Sequence, residues 1–200
     1  TLGGEQTLAS QGMIHGGIKY ALAGTINKAS ETIKAMPARW NDCLAGVGSV
    51  DLRGVTTLSK EYYMFSDAKL SSKVTAFFGS KAIAGRVQPV SANDAPTVFK
   101  NEAFKGLLYA LKDIVLDATS LIAKLRERHA DCIYHDDVKH IANLSGQVTI
   151  TLNSGESLAT KHCILAAGQG NGPLIDAIGL PISMQLRPLA QVIVKGPNLP

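Results

Sequence analysis

Apolar positions recur at helical spacing in three stretches and at strand spacing through most of the remainder. Between Thr25 and Gly46, the residues Ile26, Ala29, Ile33, Met36 and Trp40 share one stripe, which predicts a long helix with Thr25 as its N-cap. Pro37 lies inside that span; it has no N–H to donate and crowds the preceding turn, so it predicts a kink or break. Gly46 and Gly48 predict the end. Residues 69–83 read as a second amphipathic helix carrying Leu70, Val74, Phe77 and Phe78, stopped by Gly85. The clearest helix is Ala118 to Ala130, with Leu121, Ile122 and Leu125 on one side and Lys124, Arg126, Glu127 and Arg128 on the other.

Short apolar or β-branched runs predict strands at Val55–Leu58, Tyr62–Phe65, Arg86–Pro89, Thr97–Lys100, Leu107–Leu111 and Ile114–Leu116. Four more follow the third helix, at Cys132–His135, Val138–Asn143, Gln147–Leu152 and His162–Ala166, with Asn153-Ser154-Gly155 as a turn between the last two. A short helix over Pro173–Ile178 and a closing strand over Gln185–Lys195 complete the pattern. The opening segment, Thr1 to Gly17, is rich in Gly, Ser, Thr and Gln and reads as a loop entering a helix. The expected fold class is mixed α/β.

Composition narrows the function classes. Two hundred residues suit one ordinary domain or two small ones, and 46% hydrophobic against 18% charged residues excludes a disordered chain. The longest apolar stretches, such as Cys163 to Gly168, are too short to cross a bilayer. The first residues lack the zones of a signal peptide, which leaves a cytoplasmic default with room for peripheral membrane association. Cys43, Cys132 and Cys163 are widely spaced and form no CxxC pair, a poor framework for disulfides or zinc. No metal site is expected; His135 and His140, five apart around Asp136 and Asp137, are too loosely spaced. The net charge of +4 comes from scattered Lys and Arg balanced by sixteen acids, so a nucleic-acid partner is not expected. The oligomeric state is not legible.

Three segments, in order, resemble one family. Residues 5–20, "EQTLASQGMIHGGIKY", resemble the flavin-facing loop of FAD-dependent glycerol-3-phosphate and L-2-hydroxyglutarate dehydrogenases, with its run ending in I-H-x-G-[aliphatic]-x-Y. Residues 162–181, "HCILAAGQGNGPLIDAIGLP", are similar to the strand ending in A-[TA]-G that passes the FAD pyrophosphate, with its short helix and G-L-P return. Residues 186–196, "LRPLAQVIVKG", are similar to the P-x-R-G-Q-type strand that re-enters the substrate domain. Together they resemble the D-amino-acid-oxidase-like superfamily. That family opens with a GxGxxG turn, whereas the dense glycine run here, Gly168 to Gly172, follows a late strand and is not that fingerprint. By this resemblance the chain reads as an interior piece of a larger enzyme.

His15 is the foremost candidate for chemistry. Gly16 and Gly17 beside it remove side-chain bulk, which lets a planar ring approach the backbone. On the resemblance, His15 orients substrate or takes a hydroxyl or amine proton; the plain alternative is a histidine packed in a Gly-rich turn. Lys19 stands where glycerol-phosphate enzymes tend to carry Arg, and as a point charge it makes a less certain anion clamp. Tyr20 and Arg187 are the other catalytic candidates, with aromatic packing and a strand-edge charge as their alternatives. Cofactor contacts are expected from Thr7, Ser10, Gly12, Gly16 and Gly17 on the loop, from the backbone of Val138, and from the small residues Ala166, Ala167 and Gly168. Trp40 and Cys43 read as core.

The resemblance implies an incomplete FAD-binding layer plus a substrate-domain sheet with flanking helices. Residues 1–48 and 130–182 are assigned to the first, residues 49–129 and 183–200 to the second. It implies FAD as cofactor, and hydride transfer to it from a small hydroxy acid, amine, amino acid or polyol phosphate. Two other classes stay open at this point. One is a truncated or non-catalytic domain of this fold that binds no flavin by itself; the other is an enzyme using His15 and Lys19 without flavin.

Overall fold

The computed structural model describes residues 2–4, 6–18, 33–66, 87–144, 146–188 and 190. The proposed cap at Thr25, the helix over 69–83 and the end of the closing strand lie outside the described residues, as do Lys19 and Tyr20. The chain divides into two compact units, with the boundary between Ala130 and Asp131.

In the first unit, Pro37 works as a helix starter. Ile33 is helical, Lys34 and Ala35 form a turn, and helix α1 runs over Met36–Ala45 with Pro37 in its first turn, where a missing N–H costs nothing. Gly46 ends α1 in the left-handed conformation at φ +79°, donating to the carbonyls of Asp42 and Cys43. Strand β1 (Met13–Ile14) is two residues long, preceded by Gly12 and followed by His15, Gly16 and Gly17. It pairs antiparallel with β6 (Ile114–Leu116), which also pairs with β2 (Thr57–Ser59) across a bulge, giving the order β1-β6-β2. A second antiparallel sheet places β5 (Leu107–Leu111) between β3 (Tyr62–Ser66) and β4 (Val87–Pro89). Helix α2 covers Ala118–Arg128 and is started by Asp117, whose carboxylate accepts from the N–H groups of Thr119 and Ser120.

The packing follows the stripe. Cys43, Leu52, Val55, Ile114 and Leu116 form the main core, with Ile14, Trp40, Leu44, Val50, Leu121 and Leu125 against it, so α1 and α2 both cover the β1-β6-β2 sheet. A smaller cluster joins Ile18 to Leu111, Met64 and Val87, which seats the chain beyond the His15 turn on one face of the second sheet. Only Lys112 and Asp113 separate β5 from β6, so this short link passes the chain from one sheet to the other.

The second unit is built on an antiparallel meander of β7 (Val138–Leu144), β8 (Gln147–Leu152) and β9 (Ser157–Thr160). Gly146, at φ +82°, stands between β7 and β8, where a two-residue hairpin connection needs a residue free to take a positive angle. Helix α3 (Asn171–Ala177) follows a 3-10 turn over Gly168–Gly170.

The described elements are therefore helices and antiparallel sheets, the mixed α/β class expected. Five local readings differ. Thr97–Lys100 is a 3-10 turn, set by Pro96 and closed by the Phe99 N–H on the Pro96 carbonyl at 2.9 Å. Ala130–Cys132 is likewise 3-10, and residues 133–135 continue without strand pairing. Ser157–Thr160 forms a strand that the pattern had not marked, and His162–Ala166 and residues 185–188 are irregular.

Candidate functional site

The His15 turn is the most closely held part of the opening loop. Gly12, at φ +65°, leads into β1, and the N–H of Leu116 donates to its carbonyl at 2.9 Å. His15 leaves β1 half-buried, and its Nδ1 accepts the N–H of Gly17 at 3.2 Å. Gly17 takes φ +77°, which a side chain would resist. The N–H of Gly16 donates to Oδ1 of Asp113 at 2.9 Å, and that carboxylate is only 6% exposed. Both glycine N–H groups are thus spent on protein acceptors, and both residues are buried.

A recess of about 250 Å³ opens beside the turn, lined by Met13, Ile14, His15, Ile33, Met36 and Trp40. Its lining is apolar except for the imidazole. It falls just short of the roughly 300–1,000 Å³ of ordinary small-molecule sites, so it suits one ring system of a larger ligand. A neutral imidazole accepting at Nδ1 carries its hydrogen on Nε2, which makes its other edge a donor.

The remaining sequence-predicted residues fall in two groups. Thr7 and Ser10 are exposed, and the Ser10 hydroxyl donates to the Thr7 carbonyl at 2.8 Å while accepting from the Gly12 N–H at 3.3 Å. These bonds draw Thr7, Ser10 and Gly12 into one loop with His15, Gly16 and Gly17. Val138, Ala166, Ala167, Gly168 and Arg187 belong to the second unit. Val138 opens β7 opposite Leu152. Ala166 and Ala167 are exposed, and the Ala167 N–H donates to Oδ1 of Asn171 at 2.7 Å while Nδ2 of Asn171 donates to the Leu165 carbonyl at 3.2 Å. Gly168, at φ +59°, has nothing within 4 Å of where a Cβ would stand. Arg187 is exposed on irregular chain and pairs with no acid among the described residues.

Two residues of the site were not marked by sequence. Trp40, read as core, lines the recess as well as packing against the main cluster. Asp113, the buried partner of Gly16, had one available signal, a lone acid between the apolar runs ending at Leu111 and starting at Ile114. No group of three or more His, Cys, Asp or Glu suited to a metal occurs among the described residues. No helix among them is long and apolar enough to cross a membrane.

No protein-family model matches the chain. Over its full 200 residues it is 39% identical to a protein of Pseudomonas aeruginosa named a probable FAD-dependent oxidoreductase, of which it covers 51%. It superposes on the crystal structure of the FAD-dependent oxidoreductase from Pseudomonas aeruginosa with a TM-score of 0.66 at 31% identity, over 90% of this chain and 42% of that one. Glycine oxidase from Geobacillus kaustophilus gives 0.64 at 19% identity, over 92% and 50% of the two chains. Iminodiacetate oxidase from Chelativorans sp. BNC1 gives 0.52 at 15%, over 78% and 43%. The last two likenesses establish fold alone. The chain is thus similar, along its whole length, to part of an FAD-dependent oxidoreductase, and it spans about half the length of the curated relative it matches.

Proposed function

We propose that the protein is an FAD-dependent oxidoreductase that oxidises a small amine or amino acid. The observation that carries this reading is His15 on its doubly anchored glycine turn at the rim of the apolar recess. Bound FAD would supply the acceptor for the two electrons and the carbon-bound hydrogen that leave the substrate. The recess beside Met36 and Trp40 fits a planar ring, and Thr7, Ser10, Gly12, Gly16 and Gly17 belong to the same loop as His15. Val138, Ala166, Ala167 and Gly168 are further cofactor-contact candidates on the resemblance of their segments alone. Lys19, Tyr20 and Arg187 are the further substrate candidates. The names of the glycine and iminodiacetate oxidases support an amine over a hydroxy acid or polyol phosphate.

The bond from Gly17 to Nδ1 favours a particular role for His15. The Gly17 N–H engages Nδ1 and fixes the ring at the mouth of the apolar recess, where an imidazole can meet the carboxylate of an amino acid. His15 then orients the substrate and leaves the amine proton to another group.

The test is anaerobic reduction of bound flavin in the full-length protein by the primary amine glycine and by iminodiacetate and other secondary amines, beside L-2-hydroxyglutarate and glycerol 3-phosphate. Reduction by amines supports the reading, and reduction by the hydroxy compounds alone overturns the substrate class. Failure to retain FAD would favour a non-catalytic domain of this fold. Replacing His15 with Ala is expected to leave flavin bound and slow its reduction at least about tenfold, the scale of one lost hydrogen bond to a charged group. An unchanged rate removes His15 from the reaction.

A further inference from the structure

Asp113 carries a feature that packing does not explain. It sits on the two-residue link between β5 and β6, flanked by the buried Leu111 and Ile114, and is 6% exposed. A carboxylate in such surroundings is costly unless a donor meets it. The donor is the backbone N–H of Gly16, which reaches Oδ1 at 2.9 Å from 97 positions away in the chain. Where a Cβ on Gly16 would stand, Oδ1 lies 3.6 Å off and the Pro37 ring 3.7 Å, so Gly16 is in ordinary packing contact with both. One residue earlier stands His15, whose ring accepts the next N–H along. Two residues later Ile18 packs on Leu111, at the other end of the same link.

Residues 111–113 therefore grip the His15 turn at two points, by a buried carboxylate on Gly16 and by apolar contact on Ile18. We propose that Asp113 is a positioning residue for His15, fixing the Gly16 peptide so that the imidazole keeps one orientation over the recess. The same link continues into β5, so the clamp also sets the register of the His15 turn against the sheet bearing Met64 and Val87. The catalytic consequence rests on the reading of His15 as a substrate-orienting group, whereas the clamp itself does not.

The test uses the full-length protein with FAD, in the variants Asp113→Ala, Asp113→Asn and His15→Ala. The readouts are hydrogen exchange of the Gly16 amide and the kcat and KM of the amine that reduces the flavin. Asp113→Ala is expected to speed Gly16 exchange about tenfold, the scale of one lost hydrogen bond to a charged acceptor, and to alter the kinetics in the same parameter as His15→Ala. Asp113→Asn keeps a carbonyl oxygen at the Oδ1 position and is expected to restore both readouts to within about threefold. If Asp113→Ala does not fold, Asp113→Asn decides: near-normal exchange and turnover support the clamp, and loss of either overturns it. Unchanged Gly16 exchange in both variants also overturns it. Faster Gly16 exchange with unchanged kinetics in Asp113→Ala and His15→Ala would leave the clamp standing and overturn the reading of His15.

Discussion

Gly12 and Leu116 meet backbone to backbone, with the Leu116 N–H on the Gly12 carbonyl at 2.9 Å and the Leu116 carbonyl oxygen 1.9 Å from where a Cβ on Gly12 would stand. No rotamer relieves that clash, because both partners are main chain. Gly12 also holds φ +65°, which costs an L-residue about 1–2 kcal/mol before any clash. Gly12→Ala is therefore expected to destabilise the first unit by about 3 kcal/mol or more, moving Leu116 or breaking the β1–β6 pairing. Gly54, at φ +92° with nothing within 4 Å of its Cβ position, is the control and is expected to cost only the conformational part. Urea unfolding of both variants measures the difference, and equal losses would show that the backbone approach at Gly12 is not restrictive.

Asp117 joins β6 to α2. Its carboxylate accepts the Ser120 N–H at 2.8 Å and the Thr119 N–H at 3.4 Å, and its own N–H donates to the Thr56 carbonyl at 2.9 Å. Removing the carboxylate strips the first turn of α2 of its acceptors while leaving the backbone bond in place. Asp117→Ala is expected to cost about 0.5–2 kcal/mol, and Asp117→Asn much less, because the amide oxygen still caps. A shift in the denaturant midpoint for Ala with near-recovery for Asn is the expected pattern; equal losses would assign the effect to something other than capping.

The parts of this fold that were legible are those fixed by local chemistry. Pro37 marks the break before α1, Gly46 ends it, and the turn at Asn153–Gly155 separates two strands, with Gly155 at φ +93°. What failed depended on a neighbour that local pattern does not name. His162–Ala166 has a strand's apolar run, but a strand exists through its ladder, and among the described residues this run has none, with Ile164 89% exposed. Ser157–Thr160 has weak strand chemistry and pairs with β8 because the tight turn before it delivers it there. Phe99 was assigned to a strand, yet its ring lies 5.5 Å from that of Phe65 and 5.1 Å from that of Phe104, contacts that suit the 3-10 turn Pro96 begins. The site divides in the same way. Its glycine turn announces itself through Gly16 and Gly17, whereas Asp113 stays hidden because its partner is a backbone atom 97 positions distant.

Asp136 ties the start of the meander in the second unit to its far turn, and the tie depends on its charge. Oδ2 accepts the Ser154 N–H at 3.0 Å and Oδ1 the Asp137 N–H at 2.8 Å, while the Asn153 N–H reaches the Asp137 carbonyl at 2.9 Å. Hydrogen bonding from Ser154, chiefly, holds the Asp136 carboxyl below its ordinary value of 3.8. A folded-state value below the unfolded one means that the ionised group favours the folded form. That contribution is complete above the ordinary carboxylate range and fades as pH falls through the lowered folded value. Asp136→Ala is expected to weaken amide protection at Ser154 at neutral pH, with Asp136→Asn intermediate because it keeps one neutral acceptor. The gap between wild type and Asp136→Ala should hold down to about pH 4 and narrow steadily below it. A gap that stayed constant to the acid limit would mean that a neutral carboxyl caps the turn equally well, and that the charge contributes nothing there.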